Sequence, residues 1–163
     1  MMTDIAQEVG LKAKDNLENE FGSGRVAFVR LDVRSEDEWR RVWDEAEQFF
    51  RGKVQVELQM FVSVTVASHF CQVLLNNAGM YHKSNWRQVM EVNLGGAATG
   101  TMLAVEKMGV SGGGDGGVVI STASLSSIVA GAFDTIEEEI YTATKWSVLA
   151  LTRSMAKPHL WEK

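Results

Sequence analysis

Val73-Leu74-Leu75-Asn76-Asn77-Ala78-Gly79 is an apolar run that ends in turn-forming residues, as expected of a buried strand followed by a tight turn. A predicted helix from about Trp86 to Met108, the glycine-rich stretch 112–117 and the apolar run Val118-Val119-Ile120 follow it. Because these glycines follow a helix and precede a strand, they predict a flexible connection, whereas a phosphate-binding loop has the opposite order. This alternation of strands and helices predicts an α/β domain with a parallel sheet.

The first fifty residues continue the same alternation. Residues 5–21 are predicted to form a helix that ends at Gly22-Ser23-Gly24, and Arg25 to Val33 a short strand. Ser35-Glu36-Asp37-Glu38 has the pattern of a capping box at the start of a second helix. Apolar residues recur in that helix at a spacing of three to four, which predicts a face packed in the core: Trp39, Val42, Trp43, Ala46 and Phe50.

Residues 54–66 carry an apolar side chain at every second position, which predicts a long strand or a hairpin. The neighbouring apolar stretch from Met60 to Cys71 is far shorter than the roughly 20 residues that span a bilayer, so no membrane span is predicted.

Composition narrows the class of function. The 163 residues suffice for one ordinary domain, and a formal charge of -5 argues against a nucleic-acid partner, because no cationic surface is available to contact phosphates. Cys71 is the only cysteine, and no basic and apolar signal segment opens the sequence. We therefore expect a cytoplasmic protein whose partners are small molecules or other proteins.

Four motifs with chemical content follow one another in order: Asn76-Asn77-Ala78-Gly79, Val92-Asn93-Leu94, the stretch from Val118 to Ser124, and Tyr141-Thr142-Ala143-Thr144-Lys145. A Tyr-x-x-x-Lys pair alone is weak evidence, so the ordered set carries the argument. The set resembles the short-chain dehydrogenase/reductase family. Within the family, Asn77-Ala78-Gly79-Met80 running into Asn85-Trp86, and Gly116-Gly117 before the serine strand, resemble members that act on hydroxylated lipids. The resemblance implies an incomplete Rossmann-like, doubly wound parallel sheet. It also implies an NAD-dependent oxidoreductase that interconverts a secondary alcohol and a ketone.

The resemblance implies four catalytic residues. Tyr141 and Lys145 lie one helical turn apart and therefore share a face, and a nearby cation favours the phenolate form of a tyrosine. Tyr141 would act as the general base, and Lys145 would assist it and bind the nicotinamide ribose. Ser124 would orient the substrate oxygen, with Ser127 as the alternative serine. Asn93 would hold a water that links Lys145 to solvent.

The cofactor contacts implied by the resemblance begin near the start of the sequence. Asp4 would close the family's second strand, accept the adenosine ribose hydroxyls and repel the 2′-phosphate of NADP. Asp32 and Val33 match the pair that contacts adenine. Asn77, Ala78 and Gly79 match the turn that lies against the cofactor, which Tyr141 and Lys145 also contact. No metal site is expected.

The sequence also departs from the family pattern. No strand followed by a glycine-rich loop precedes position 90, the family's last strands are not recognised, and the block at about 54–72 is atypical. We therefore expect residues 1–163 to form a single, partial dinucleotide-binding domain. The alternating run 54–66 is a candidate to fill the gap left in the sheet by the family's first strand.

Two alternatives to an independent enzyme are open. One is a non-catalytic, truncated relative or isoform that associates with intact subunits, and the other is an incomplete gene model. The spacing Gly96-x-x-x-Gly100 is compatible with a helix that forms a homodimer and equally with close packing inside one chain.

Overall fold

The computed structural model describes residues 1–50, 62–65, 73–82, 85–112, 114–129 and 136–156. Its strands are β1 (Met2–Asp4), β2 (Phe28–Arg30), β3 (Val62–Thr65), β4 (Val73–Asn76) and β5 (Val118–Ser121). Its α-helices are α1 (Gln7–Phe21), α2 (Glu36–Phe50), α3 (Trp86–Met90), α4 (Ala97–Met108) and α5 (Ile136–Met155). The alternation confirms the predicted α/β class.

The five strands form one sheet in the order β2-β1-β3-β4-β5. β1 pairs in parallel with β2, and β4 in parallel with β5. β3 is antiparallel to both of its neighbours, β1 and β4, so those two strands run in the same direction. The carboxyl ends of β1, β2, β4 and β5 therefore lie at one edge of the sheet, where open α/β sheets bind ligands.

β3 occupies the central position of this sheet. In the doubly wound order 3-2-1-4-5, that position belongs to the first strand, which runs parallel to its neighbours. The structure thus places Val62–Thr65 in the gap that the alternating run was predicted to fill, with reversed direction. The rest of the run, 54–61 and 66, lies outside the described residues.

The core lies between α2 and the sheet. Trp39, Val42, Trp43 and Ala46 are buried, as their spacing predicted, and they pack with Leu31, Leu74 and Met108. The indole N–H of Trp39 donates to the carbonyl oxygen of Val33 at 3.0 Å, which ties the helix to the turn after β2. The side chain of Phe50 lies outside the described residues.

Gly96 and Gly100 both face this core. A Cβ atom on Gly96 would lie 2.8 Å from Val33 Cγ2, and one on Gly100 would lie 2.5 Å from Asn76 Oδ1 and 2.9 Å from the Trp39 ring. The two glycines therefore allow close packing inside one chain. The structure favours this explanation of the Gly96-x-x-x-Gly100 spacing over a helix that forms a homodimer.

The capping box predicted at α2 forms only in part. Ser35 Oγ accepts the backbone N–H of Glu38 at 3.2 Å, as expected of an N-cap. The carboxylate of Glu38, however, accepts the backbone N–H of Asp32 at 2.8 Å and pairs with Arg30. Glu38 therefore fixes the end of β2 and the turn after it, a contact that the local pattern could not reveal.

The helix predicted from Trp86 to Met108 is interrupted. A π-helical segment, Glu91–Gly96, separates α3 from α4 and contains Asn93. Single π-helical turns within α-helices occur frequently at functional sites. The glycine-rich stretch begins at the end of a 3₁₀ turn, Val110–Gly112, and its residues 114–117 lead without regular structure into β5, so it connects a helix to a strand, as predicted.

Candidate active site

α5 presents Tyr141 and Lys145 to the same space, which we call the tyrosine cavity. Its volume is about 520 Å³, and the two side chains line it together, as their spacing predicted. The ring of Tyr81 meets the Tyr141 ring edge-on, with centroids 6.1 Å apart. The remaining lining residues are Asn77, Gly79, Met80, Thr122, Ala123 and Glu138.

Lys145 is held in place by a backbone atom at the end of β5. Its Nζ donates to the carbonyl oxygen of Thr122 at 2.9 Å and lies 5.8 Å from the centroid of the Tyr141 ring. The residue is only 4% exposed, and burial lowers the pKa of its amine below the usual range. Lys145 can therefore release a proton more readily than a surface lysine.

Asn93 is buried and connects two elements of the site. Its Nδ2 donates to the Met80 carbonyl oxygen at 2.9 Å and to Thr144 Oγ1 at 3.0 Å, while its Oδ1 accepts the Met80 N–H at 2.7 Å. Both amide hydrogens are thus used to join the turn after β4 to α5. The predicted role of Asn93 in holding a water stays a prediction, and such a water would have to bind its oxygen or its backbone.

Ser124 caps the short 3₁₀ turn Leu125–Ser127 that follows β5. Its Oγ accepts the Ser126 N–H at 3.3 Å, and its own N–H donates to Ser127 Oγ at 3.1 Å. Ser124 is half-buried, whereas Ser127 is fully buried, so Ser124 is the more accessible of the two candidates. Among the described residues, its neighbours Thr122 and Ala123 line the tyrosine cavity and Ser124 itself does not.

The six residues predicted to contact only the cofactor surround a second space, which we call the aspartate cavity. Its volume is about 370 Å³. It lies at the carboxyl ends of β1, β2 and β4, where a doubly wound sheet places its ligand. The lining includes Asp4, Asp32, Val33, Asn77, Ala78 and Gly79, together with Thr3, Ile5, Leu31, Arg34, Met80, Gln88 and Val92.

Both carboxylates of the aspartate cavity are already hydrogen-bonded. Asp4 Oδ1 accepts the Ala6 N–H at 2.7 Å, ahead of α1. The guanidinium of Arg34 donates from Nε to Asp32 Oδ1 at 2.9 Å and from Nη2 to Asp32 Oδ2 at 2.5 Å. These hydrogen bonds from Arg34 hold the pKa of Asp32 below its usual range, so Asp32 stays ionised.

The turn after β4 separates the two cavities and lines both of them. Asn77, Gly79 and Met80 belong to both linings. A Cβ atom on Gly79 would lie 3.2 Å from Lys145 Nζ and 3.6 Å from Asn93 Oδ1. The missing side chain at Gly79 therefore leaves room for the Lys145 amine to lie close to the turn.

Three residues of the site were not singled out from the sequence. Thr122 donates from Oγ1 to Asn77 Oδ1 at 2.7 Å and binds Lys145 through its carbonyl. Thr144 is fully buried, and its hydroxyl donates to the Tyr141 carbonyl oxygen at 2.6 Å. Tyr81 contributes the second aromatic ring. Thr122 and Thr144 each lie within one of the four motifs, the stretch Val118 to Ser124 and the Tyr-x-x-x-Lys pair, whereas Tyr81 had no signal in the sequence.

The described residues contain neither a membrane-crossing helix nor a cluster of metal ligands. None of the helices in the described part of the chain is both long enough and apolar enough to cross a membrane. Within the same residues, no three His, Cys, Asp or Glu side chains are grouped so as to hold a metal ion.

The sequence is similar to dehydrogenases of known activity. A family model described as short chain dehydrogenase matches residues 1–162. The chain is 29% identical over 155 residues to 15-hydroxyprostaglandin dehydrogenase (NAD(+)) of Mus musculus, covering 95% of this chain and 49% of the mouse protein. It is also 29% identical to 3beta-hydroxysteroid dehydrogenase 2 of Eggerthella lenta, over 96% of this chain and 54% of that protein.

Solved structures agree with these similarities. A short-chain dehydrogenase from Novosphingobium aromaticivorans superposes with a TM-score of 0.68 at 28% identity, over 94% of this chain and 51% of that one. A Burkholderia phymatum short-chain dehydrogenase/reductase in complex with NAD has the same fold, with a TM-score of 0.70 at 24% identity, over 94% of this chain and 48% of that one. The chain therefore spans about half the length of the relatives it matches.

Proposed function

Because this chain belongs to the short chain dehydrogenase family, we propose that it interconverts a secondary alcohol and a ketone with NAD as the hydride carrier. One observation carries the proposal. The turn Asn77–Met80 connects a cavity lined by Tyr141 and Lys145 to a second cavity lined by Asp4 and Asp32. A proton-transferring pair and a candidate nucleoside site thus lie on opposite sides of one glycine-containing turn.

In the proposed reaction, Tyr141 is the general base for alcohol oxidation. Its phenolic oxygen takes the proton of the substrate hydroxyl, and Lys145, buried beside the ring, stabilises the charge that develops there. NAD, when bound, accepts hydride from the carbon that carries the hydroxyl. The Thr122 carbonyl keeps the Lys145 amine on the cavity side of α5.

The supporting residues are proposed to keep this pair in position. Asn93 joins the turn after β4 to Thr144, whose hydroxyl binds the Tyr141 carbonyl, so the orientation of α5 depends on the π-helical segment. Ser124, at the carboxyl end of β5, is proposed to orient the substrate oxygen. That role requires its hydroxyl to leave the 3.3 Å contact with Ser126.

Asp4 is proposed to select NAD over NADP. A carboxylate at the end of this strand accepts ribose hydroxyls and repels a 2′-phosphate. Asp4 lines the aspartate cavity beside Asp32, which supplies a second negative charge.

A hydroxylated lipid is the proposed substrate class. The relatives described above include dehydrogenases named for a hydroxyprostaglandin and a hydroxysteroid. Met80, Tyr81 and Ala123 give the tyrosine cavity an apolar wall that suits a hydrocarbon substrate.

Titration of NADH into the purified 163-residue chain tests the cofactor part of the proposal. After circular dichroism has shown that the chain is folded, we expect saturable binding at micromolar concentrations, followed by nicotinamide fluorescence. Asp4→Ala should abolish this binding, whereas Asp15→Ala, on the exposed face of α1, should not. A folded chain that does not bind NADH would contradict the proposal.

A measurement of turnover tests the chemical part of the proposal. With NAD and a panel of hydroxylated lipids, we expect Tyr141→Phe to abolish NADH formation while NADH binding is retained. Phenylalanine keeps the ring that contacts Tyr81 and removes only the proton-accepting oxygen. Equal turnover by the wild type and Tyr141→Phe would show that this residue is not the base.

Association with a longer relative is the alternative function. β5 is one of the two edge strands of the described sheet, and its side chains Val118 and Ile120 are 47% and 50% exposed. An exposed apolar strand edge favours pairing with another chain. Co-purification with a full-length relative, without turnover by the chain alone, would support this alternative.

A further inference from the structure

The two tyrosines of the sequence meet in the tyrosine cavity. The rings of Tyr81 and Tyr141 lie edge-on, with centroids 6.1 Å apart and planes at 82°. Aromatic pairs prefer this arrangement, because the positive edge of one ring meets the negative face of the other. Tyr81 directly follows the turn after β4, whereas Tyr141 belongs to α5, so the contact joins two separate elements.

The backbone beside Tyr81 is fixed by a buried side chain. Asn93 Oδ1 accepts the Met80 N–H at 2.7 Å, and Asn93 Nδ2 donates to the Met80 carbonyl oxygen at 2.9 Å. That carbonyl belongs to the planar peptide unit that joins Met80 to Tyr81, so the second hydrogen bond also restrains the nitrogen of Tyr81. The Tyr81 ring therefore extends from a backbone that is held against the π-helical segment.

The ring of Tyr141 is less restrained than its backbone. The backbone lies in α5, and its carbonyl oxygen accepts the Thr144 hydroxyl at 2.6 Å. In the described part of the chain, the groups that meet the ring are Tyr81 and the Lys145 amine. The amine lies 5.8 Å from the ring centroid, near the outer limit of a cation–π contact. The Tyr81 ring is therefore the contact that limits rotation of the Tyr141 side chain.

We propose that Tyr81 is a positioning residue, which holds the ring of Tyr141 in the rotamer that lines the tyrosine cavity. The inference rests on the proposed function only in taking Tyr141 to be the base. Without the second ring, Tyr141 would populate several rotamers, and only the fraction in the productive one could accept a proton. An edge-on aromatic pair is strong enough to change such a fraction about two- to tenfold.

NMR of the folded 163-residue chain, labelled selectively at tyrosine, tests the inference without turnover. Because the chain has 2 tyrosines, the signals that remain in Tyr81→Leu belong to Tyr141. The three-bond couplings of its α and β protons report how its rotamers are populated. We expect a single rotamer in the wild type and in Tyr81→Phe, which keeps the ring, and averaged couplings in Tyr81→Leu. Circular dichroism and urea midpoints show that both variants are folded.

Kinetics gives a second readout. In the described linings, Tyr81 belongs to the tyrosine cavity and not to the aspartate cavity. With NAD and a hydroxylated lipid that the wild type oxidises, we therefore expect Tyr81→Leu to lower kcat about two- to tenfold without a change in the KM for NAD. Tyr81→Phe should recover most of that loss, since it restores the edge-on contact.

The outcomes separate this inference from the proposed function. A single Tyr141 rotamer in Tyr81→Leu, or averaged couplings already in the wild type, would overturn the inference and leave the proposed function standing. A higher KM for the lipid at constant kcat in Tyr81→Leu would also overturn it, because Tyr81 would then contact the substrate without positioning the base. Averaged couplings in Tyr81→Leu alone, together with a wild type that has no turnover, would support the inference and contradict the proposed function.

Discussion

Because Gly79 has no side chain, the Lys145 amine can lie close to the turn after β4. A methyl group there would lie 3.2 Å from Lys145 Nζ, a tight contact that we expect the flexible lysine side chain to relieve by moving. We expect Gly79→Ala to fold normally and to lower kcat/KM about ten- to a hundredfold, since small displacements of a catalytic group have effects of that size. The matched control is Gly95→Ala, where the nearest atom to the new carbon is 3.9 Å away.

Lysine-selective NMR provides a readout of Gly79→Ala that does not depend on turnover. The signal of Lys145 should shift in Gly79→Ala and stay in place in Gly95→Ala. If Gly79→Ala left both the Lys145 signal and the activity unchanged, the backbone of the turn would have moved and the lysine would not.

Asp32 and Glu38 make the stability of the chain sensitive to acid. Hydrogen bonds from Arg34 lower the pKa of Asp32, and the backbone N–H of Asp32 lowers the pKa of Glu38. A carboxyl whose pKa is lower in the folded state contributes stability above its unfolded pKa, and this contribution is lost as the pH falls through the folded value. Urea midpoints should therefore be steady from pH 7 to about 5 and fall below about pH 4.

Arg34→Gln identifies the source of that acid sensitivity. It should reduce the loss of stability between pH 5 and pH 3, because Asp32 then titrates closer to its ordinary pKa. Arg25→Gln, at an exposed position before β2, is the control and should behave as the wild type. Identical acid profiles for all three proteins would rule out the Asp32–Arg34 pair as the cause.

Sequence patterns were sufficient to predict that Tyr141 and Lys145 share one space, and insufficient for the residues that hold the two side chains in position. Tyr141 and Lys145 share a cavity because a helical spacing of four fixes their common face. The bond from Lys145 to the Thr122 carbonyl joins positions 23 apart in the chain, and no local period encodes such a contact. For the same reason, the link from Asn93 to Thr144 could be found only in three dimensions.

β3 is the element on which the continuity of the sheet depends. Its backbone pairs with β1 on one side and β4 on the other. Ser63→Pro removes the backbone N–H from the middle of a strand paired on both sides, and leaving its partner unpaired should lower the free energy of unfolding by about 1–3 kcal/mol. Ser63→Ala keeps that N–H and is the control, and the measurement is urea unfolding followed by far-ultraviolet circular dichroism.

A small effect of Ser63→Pro would mean that β1 and β4 hold together without β3. That result would contradict the central position of the strand in the sheet. The alternating run 54–66 predicted a strand. An alternation of apolar and polar residues is the same whether the strand runs parallel or antiparallel to its neighbours. Strand direction depends on how the chain enters and leaves the sheet, so the antiparallel pairing of β3 could not be predicted from that pattern.

At the scale of the whole molecule, the sheet has an exposed edge. β5 is one of the two edge strands among the described strands, and Ile120 on it is 50% exposed. We expect Ile120→Lys to reduce concentration-dependent self-association in sedimentation velocity, because a charge on an edge strand opposes pairing with another strand. Leu125→Lys is the control, since Leu125 is 72% exposed but lies in the 3₁₀ turn after the strand. Equal effects of both substitutions would point to general hydrophobicity and not to the strand edge.

Trp39 connects the core to the ligand-binding edge in a way that can be observed spectroscopically. Its indole N–H is hydrogen-bonded to the carbonyl of Val33, a residue that lines the aspartate cavity. The proton resonance of that N–H is sensitive to the length of the bond, so a ligand that moves Val33 should shift it. The chain has 5 tryptophans, and Trp39→Phe would assign the signal. The protein thus contains an intrinsic, label-free reporter of occupancy at a buried site, suitable for screening ligands before any activity is known.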